Sequence, residues 1–235
     1  MISVIIPVYN QGDKLTKTLD SLERQSYQDL EIIIVNDGSS DNTQKTIEDH
    51  VPEMKRRGMN VKVFVHNRNK GAPAARNEGF RASEGEYLFF CDADAILESH
   101  ALEKMLNTIK QVPDTSYVYS SFKWGAKKFP VGSFSEEKLK QGPCIHTMAL
   151  IKRNDFPESG WDESITKLQD WDLWLTMLDQ GKKGYWINEA LFTISPGGNI
   201  SFWIPSFFYK LFPFLPSVKK YKKAVEKIKK KHGLK

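Results

Sequence analysis

Cysteine is scarce in this chain: Cys91 and Cys144 are the only two among 235 residues. Two are too few for a disulfide framework, and Cys91 lies within an apolar run, so both are expected as small buried side chains in a reducing cytoplasm. Long apolar runs are missing as well. No window holds the roughly 18 consecutive apolar residues that a membrane-spanning helix requires. The opening MISVIIPVYN has no basic flank and an apolar run only a strand long, so no signal peptide is expected. There is no G-x-G-x-x-G after the first apolar run and no G-x-x-x-x-G-K-[ST] anywhere, which removes the main support for a dinucleotide-dependent oxidoreductase or a P-loop enzyme. The five histidines, His50, His66, His100, His146 and His232, are scattered without metal-ligand spacing. Each is expected in an ordinary surface or packing role.

What is present is the composition of a folded protein, with 40% hydrophobic and 27% charged residues, rather than that of a disordered one. The net charge of +5 is unevenly held. Nine lysines and one glutamate between Ser217 and Lys235 give that stretch +8, which leaves −3 for residues 1–216. Any anionic surface would therefore be met by the tail and not by the whole body. The basic residues are confined to one terminus with no recognised binding module around them, so nucleic acid is not expected as a partner.

Along residues 2–109, short β-branched runs alternate with stretches of helical period. ISVIIPV (2–8), LEIIIVN (30–36), VKVFVH (61–66) and EYLFFCD (86–92) are each followed by apolar residues at helical spacing or by a helix opening at Pro73. Such alternation predicts βαβ units and a mostly parallel sheet flanked by helices, with ligand sites at the carboxyl ends of the strands. Those ends are unusual. The first holds Pro7, Val8, Tyr9 and Asn10; the second reads NDGSSDN from Asn36, which also fits a turn running into a helix cap. The fourth runs into Asp92-Ala93-Asp94. If a strand continued through Asp92 and Asp94, both would project from one face. Two carboxylates so close repel unless a cation or a strong donor lies between them, and a metal is the economical answer.

Beyond residue 115 the pattern is less regular. SYVYSSF (116–122) and CIHTMALIK (144–152) look like strands, and the Lys-, Gly- and Pro-rich segment between them reads as a loop or lid. In QDWDLWLTMLDQGKKG, Trp171, Trp174, Leu175 and Leu178 share one helical face, Asp170 stands at the helix entrance, and Gly181 and Gly184 end it.

VIIPVYN, IIIVNDGSSDNT, NKGAPAARNEGF, FFCDADA and QDWDLWL occur in this order over roughly residues 1–195, and together they resemble the inverting family 2 glycosyltransferases of the GT-A fold. The resemblance implies a domain over 1–200 that moves one sugar from a nucleotide-diphospho-sugar to an acceptor hydroxyl. By similarity Pro7 shapes the floor of the nucleotide site and Tyr9 lies against the base. Asp37 would accept a base N–H, which favours a UDP- or TDP-sugar. Arg76 is placed in the same site, Asp92 on the ribose, and Asp94 on a Mg²⁺ or Mn²⁺ ion that bridges the diphosphate. Asp170 is the expected general base, with Asp172 as its rival. Its place at a helix amino terminus is expected to hold it ionised and only weakly basic. Two departures stand out. Gln169 replaces the usual acid before Asp170, and Ser195, Pro196 and glycines stand where many relatives carry an Arg or His, so metal binding is expected to rest on fewer protein ligands. These departures keep open a non-catalytic nucleotide-sugar-binding protein. The Q-x-x-R-W signature of processive relatives is missing, which points to transfer of single sugars. A nucleotidyltransferase lacks its own glycine- and arginine-rich opening.

Residues 201–235 differ from the body. Pro205, Pro213 and Pro216 interrupt an aromatic stretch, and Val218, Tyr221, Val225 and Ile228 then mark one helical face among lysines. That composition suits a segment lying in a membrane interface with its lysines toward anionic headgroups. A peripheral location on the cytoplasmic face of the cell membrane is expected, where a lipid-linked or cell-surface glycan acceptor would be met.

Overall fold

In a computed structural model, which describes residues 1–195 and 215–234, the first four β-branched runs form β1 (Ile2–Val8), β2 (Leu30–Asn36), β3 (Asn60–Val65) and β4 (Tyr87–Phe90). They lie side by side in the order β3-β2-β1-β4, every pair parallel. The helices α1 (Gly12–Glu23), α2 (Thr43–Arg56) and α3 (Ala72–Ala82) make the crossovers. Both faces of this half are covered, and that is why β1 and β2 read as unbroken apolar runs. Ile2, Val4, Ile6 and Val8 of β1 join one core with Leu15 and Leu19 of α1, whereas Ile5 joins the opposite core with Ala75 of α3.

The second half of the sheet is mixed. After β4 come β5 (Ala95–Leu97), α4 (Ala101–Gln111), β6 (Tyr117–Trp124), β7 (Lys127–Phe129), α5 (Glu136–Gln141), β8 (Ala149–Lys152), α6 (Gln169–Asp179) and β9 (Gly184–Ile194). β8 runs antiparallel between β4 and β6, β9 lies parallel to β6, and β5 pairs antiparallel with β9 at the far edge. β7 forms a hairpin with β6.

Two expectations change here. The fourth strand stops at Phe90. Only the Cys91 amide still bonds to the Ile5 carbonyl, at 2.9 Å, and the chain then turns through Ala93 and Asp94 into β5. Asp92 and Asp94 are thus held by a turn and not by strand alternation. In the 144–152 segment only Ala149–Lys152 is strand.

α7 (Pro216–Lys231) is amphipathic, as its period predicts, but its apolar face is turned to the body. Val218 and Ile228 have no exposed surface, and Ile228 joins the α3/α6 core together with Val225 and Leu234. In the described residues this stripe is therefore covered by protein, which corrects the idea that it faces lipid. The aromatic stretch 202–214 lies outside the described residues. No helix among the described residues is long and apolar enough to cross a membrane.

α3 approaches β1 through Gly79, where a Cβ would stand 2.4 Å from the Ile5 Cγ2. That approach fixes how far α3 lies above the strand ends. Gly79→Val is expected to lower stability in urea unfolding by roughly 1–3 kcal/mol through overpacking, with the midpoint of denaturation as the readout.

Candidate active site

The carboxyl ends of β1, β2 and β4 share one edge of the sheet, and side chains there are fixed by bonds between loops. Asn10, in the left-handed region at φ 52, ties the first two tips together. Its amide donates to the Ser39 hydroxyl at 3.0 Å, and its side-chain oxygen accepts from the Ser40 amide at 2.8 Å. Tyr9 is 39% exposed at this tip, with Pro7 half-buried two residues before it. Asp37 is buried and anchors the loop before α3. One of its oxygens accepts the Lys70 amide at 2.8 Å and lies 2.7 Å from His66 Nδ1, and the other accepts the Gly71 amide at 2.8 Å. Gly38 permits the close fit, since a Cβ there would lie 2.5 Å from the Arg68 backbone.

Arg76 of α3 is buried between the turn after β4 and the first turn of α6. Its Nη2 donates to Asp92 Oδ1 at 3.3 Å and its Nη1 to Gln169 Oε1 at 2.9 Å, while the guanidinium lies 4.5 Å from the Trp161 ring centroid. One side chain thus joins the acid after β4 to the first turn of α6. The departure at Gln169 has a structural role: its amide oxygen is the acceptor for Arg76.

α6 begins abruptly. Leu168 precedes it at φ 58, ψ 36, with no side-chain cap. For a leucine that conformation costs on the order of 1–2 kcal/mol. The turn directs Gln169 and Asp170 toward the Arg76–Asp92 pair. Asp170 is half-buried, and its Oδ1 accepts the Trp171 amide at 2.9 Å. Burial raises its pKa above the ordinary carboxylate value, nearby Asp92 adds to the rise, and His146 and Arg76 oppose it. The helix terminus therefore does not dominate, and Asp170 is more basic than its position alone suggests.

Asp94 is 1% exposed, and among the described residues neither of its oxygens has a hydrogen-bond partner. Lys14 Nζ lies 3.8 Å away. Burial, reinforced by the Asp92 charge and opposed by Lys14, pushes its pKa up to about 6. The backbone at Asp94 is held firmly, because its carbonyl accepts the Ser195 amide at 3.0 Å. Among the described residues no three His, Cys, Asp or Glu side chains converge closely enough to hold a metal ion by themselves.

Two residues at this rim carry no signature in the sequence pattern. His146 Nε2 lies 3.6 Å from Asp92 Oδ2, with the ring against those of Phe122 and Phe192. Its Nδ1 accepts the Met148 amide at 3.2 Å, which assigns the neutral ring's proton to Nε2, facing Asp92. It is neither a surface nor a simple packing residue. Lys14 is the other. A cation in the first turn of α1 works against the helix dipole, and that is the one local sign that it has a specific partner.

A sequence model of the family described as "Glycosyl transferase family 2" matches residues 3–160. The glycosyltransferase GlyG of Streptococcus pneumoniae is 34% identical over 151 residues, covering 64% of this chain and 48% of that protein. The chain spans about half the length of the curated relatives it matches. Among solved structures, S. aureus TarS in complex with UDP-GlcNAc superposes with a TM-score of 0.70 at 19% identity, over 96% of this chain and 70% of that one. The mannosyltransferase PcManGT from Pyrobaculum calidifontis, in complex with GDP-Man and Mn²⁺, superposes with a TM-score of 0.67 at 18% identity, over 83% of this chain and 56% of that one. These likenesses establish the GT-A fold.

Asp94 carries a cost that can be measured. With a pKa near 6 in the folded chain against an ordinary 3.8, its ionisation opposes folding, by on the order of 2–3 kcal/mol above pH 6. The penalty vanishes as pH falls below the unfolded value. In the presence of a chelator, Asp94→Asn is expected to raise the urea midpoint at pH 7, with the gain shrinking toward pH 4.

Proposed function

The chain belongs to glycosyltransferase family 2, and we propose that it transfers single sugars from a UDP- or TDP-sugar to an acceptor hydroxyl with inversion at the anomeric carbon. The observation that carries this reading is the bridge from Asp92 through Arg76 to Gln169, which sets a basic carboxylate, Asp170, beside the acids after β4. A nucleotide-sugar donor draws further support from TarS, solved with UDP and with UDP-GlcNAc, and from PcManGT, solved with GDP-Man; of these only TarS favours a pyrimidine base.

Tyr9, partly exposed at the tip of β1, would lie against the base. Asp37 has three acceptor positions engaged by the segment between β3 and α3, and a carboxylate offers about four, so one remains for a uracil or thymine N–H. Asp92 would hold the ribose. The orphaned, buried oxygens of Asp94 fit a hard divalent cation such as Mg²⁺ or Mn²⁺, whose other ligands would come from the donor diphosphate. Such an ion, when bound, supplies positive charge to the departing nucleoside diphosphate. Asp170 takes the acceptor hydroxyl's proton as that oxygen attacks the anomeric carbon opposite the leaving group. Arg76 opposes the rise in the Asp170 pKa and holds Asp92 in place. A nucleotide-sugar-binding protein without turnover is disfavoured, because nothing in a binding role requires a raised carboxylate pKa at the acceptor side.

Asp170→Asn is expected to lower kcat by about 10²–10⁴-fold while UDP affinity, measured by calorimetry, stays within twofold of wild type. Mn²⁺ should tighten UDP binding in the wild type and not in Asp94→Asn. In the wild type, kcat should rise with pH through the raised Asp170 pKa. Retained turnover in Asp170→Asn would overturn the assignment of the base.

We further propose that the chain works at the cytoplasmic face of the cell membrane on a lipid-linked or cell-surface glycan acceptor. With the apolar stripe of α7 covered, attachment would rest on its exposed lysines, Lys219, Lys220, Lys222 and Lys223. Replacing these four by glutamate is expected to abolish co-sedimentation with phosphatidylglycerol vesicles at low salt, since each basic residue near such a surface contributes about 1 kcal/mol. Unchanged binding would refute the membrane role.

A further inference from the structure

Asp172 lies in the first turn of α6, two residues beyond Asp170, and is only 3% exposed. A buried carboxylate needs cationic or hydrogen-bonding partners, and two cations reach it from the end of the chain. Lys231 Nζ lies 2.8 Å from Asp172 Oδ2, and His232 Nε2 lies 3.0 Å from Oδ1. The other ring nitrogen of His232, Nδ1, lies 2.6 Å from Asp179 at the opposite end of the same helix. Lys231 also pairs with Asp162 at 2.9 Å, and Lys227 donates to the Ser164 carbonyl at 2.7 Å. The loop leading into α6 is therefore gripped by α7 on one side. On the other side Asn77 of α3 grips it, donating to the Trp161 carbonyl at 2.9 Å and accepting the Trp161 amide at 2.8 Å.

We propose that Lys231 and His232 are positioning residues for Asp170: the carboxyl-terminal end of α7 completes the active site by pinning the first turn of α6 and the loop before it. The inference rests on reading Asp170 as the general base. Neither residue touches the rim, so both act through Asp172. Without them Asp172 would be an uncompensated buried charge. The first turn would relieve it by swinging Asp172 toward water or by taking up a proton. Either change shifts Gln169 and Asp170 against Arg76, and a misplacement of about 1 Å at a reacting group costs on the order of 10² in rate.

The charge state of His232 gives the device a pH signature. Both ring nitrogens face carboxylates, an arrangement that only the imidazolium satisfies with two donors. The charged groups facing it are Asp172 and Asp179 on α6, with Lys231 beside it on its own helix. Burial works against the charge, but the bonds to Asp172 and Asp179 outweigh it and hold the pKa above the ordinary histidine value. The clamp is therefore intact below the ordinary histidine pKa, while Asp172 and Asp179 stay ionised, and is lost as pH rises through the folded-state pKa of His232.

The test compares His232→Phe with His232→Lys in the full chain. His232→Phe is expected to lower kcat at least about tenfold with the donor KM and the UDP dissociation constant within about twofold, the pattern of an interaction lost from the reacting geometry alone. His232→Lys keeps a cation, so it should recover at least half of kcat and extend the alkaline limb of the pH profile. Wild-type kcat from His232→Phe, or a parallel loss of kcat and UDP binding, would overturn the positioning role. Should His232→Phe fail to fold, the wild type decides: an alkaline limb of kcat that coincides with the His232 titration followed by NMR supports the proposal, and midpoints more than about one pH unit apart overturn it. A failure of the base assignment shows separately, as turnover retained by Asp170→Asn.

Discussion

One buried guanidinium holds the rim together. Arg76 leaves α3 in the parallel half of the sheet and bonds both to Asp92, which follows β4, and to Gln169, which opens α6. No other hydrogen bond among the described residues links those two acceptors. The charges around it do not cancel. Asp92, Asp94 and Asp170 are three acids, and Arg76 and Lys14 are the cations that reach them. The remaining deficit is one that a cation arriving with the substrate would fill, and the isolation of the Asp94 oxygens shows where the deficit is concentrated.

The parallel half of the fold could be read from the residues because both faces of its strands are covered, leaving runs such as Ile32-Ile33-Ile34-Val35 with no polar interruption. β5, β7 and β9 could not. The first two have three residues each, too few for a period to show. β9 breaks the alternation of a strand, with Asn188 and Glu189 both exposed and Leu191 and Phe192 both buried, and its place depends on pairing with β6 across two register shifts. Among the candidate site residues, Asp37, Asp92, Asp94 and Asp170 could be singled out because each lies just after a strand or in the first turn of a helix, while Arg76 is placed with them by the family resemblance. His146 and Lys14 come from segments whose local pattern says nothing of the acid each one meets.

Two expectations failed for one reason, that local rules do not know what lies across the fold. A helix amino terminus lowers a carboxylate's pKa, yet burial moves Asp170 the other way. The apolar stripe of α7 reads, in the sequence, as part of a segment lying in a membrane interface. Periodicity states only that something covers it, and here that is the body itself, through Ile228 and Val225. The change at Gln169 has a similar lesson. Read alone it is the loss of an acid; in the structure its neutral oxygen leaves the full charge of Arg76 to Asp92 and to the field at Asp170.

The anchoring of Asp94 bears on how the molecule comes into being. Its carbonyl is fastened by the Ser195 amide, and the short strand after it is paired with the end of β9. Contacts so distant along the chain form slowly and late. During synthesis the βα units of the first ninety or so residues can collapse on the nascent polypeptide, but the acid's pocket stays unfinished until residue 195 has emerged from the ribosome. A half-made chain therefore has the parallel part of its sheet before the surroundings of Asp94 are complete.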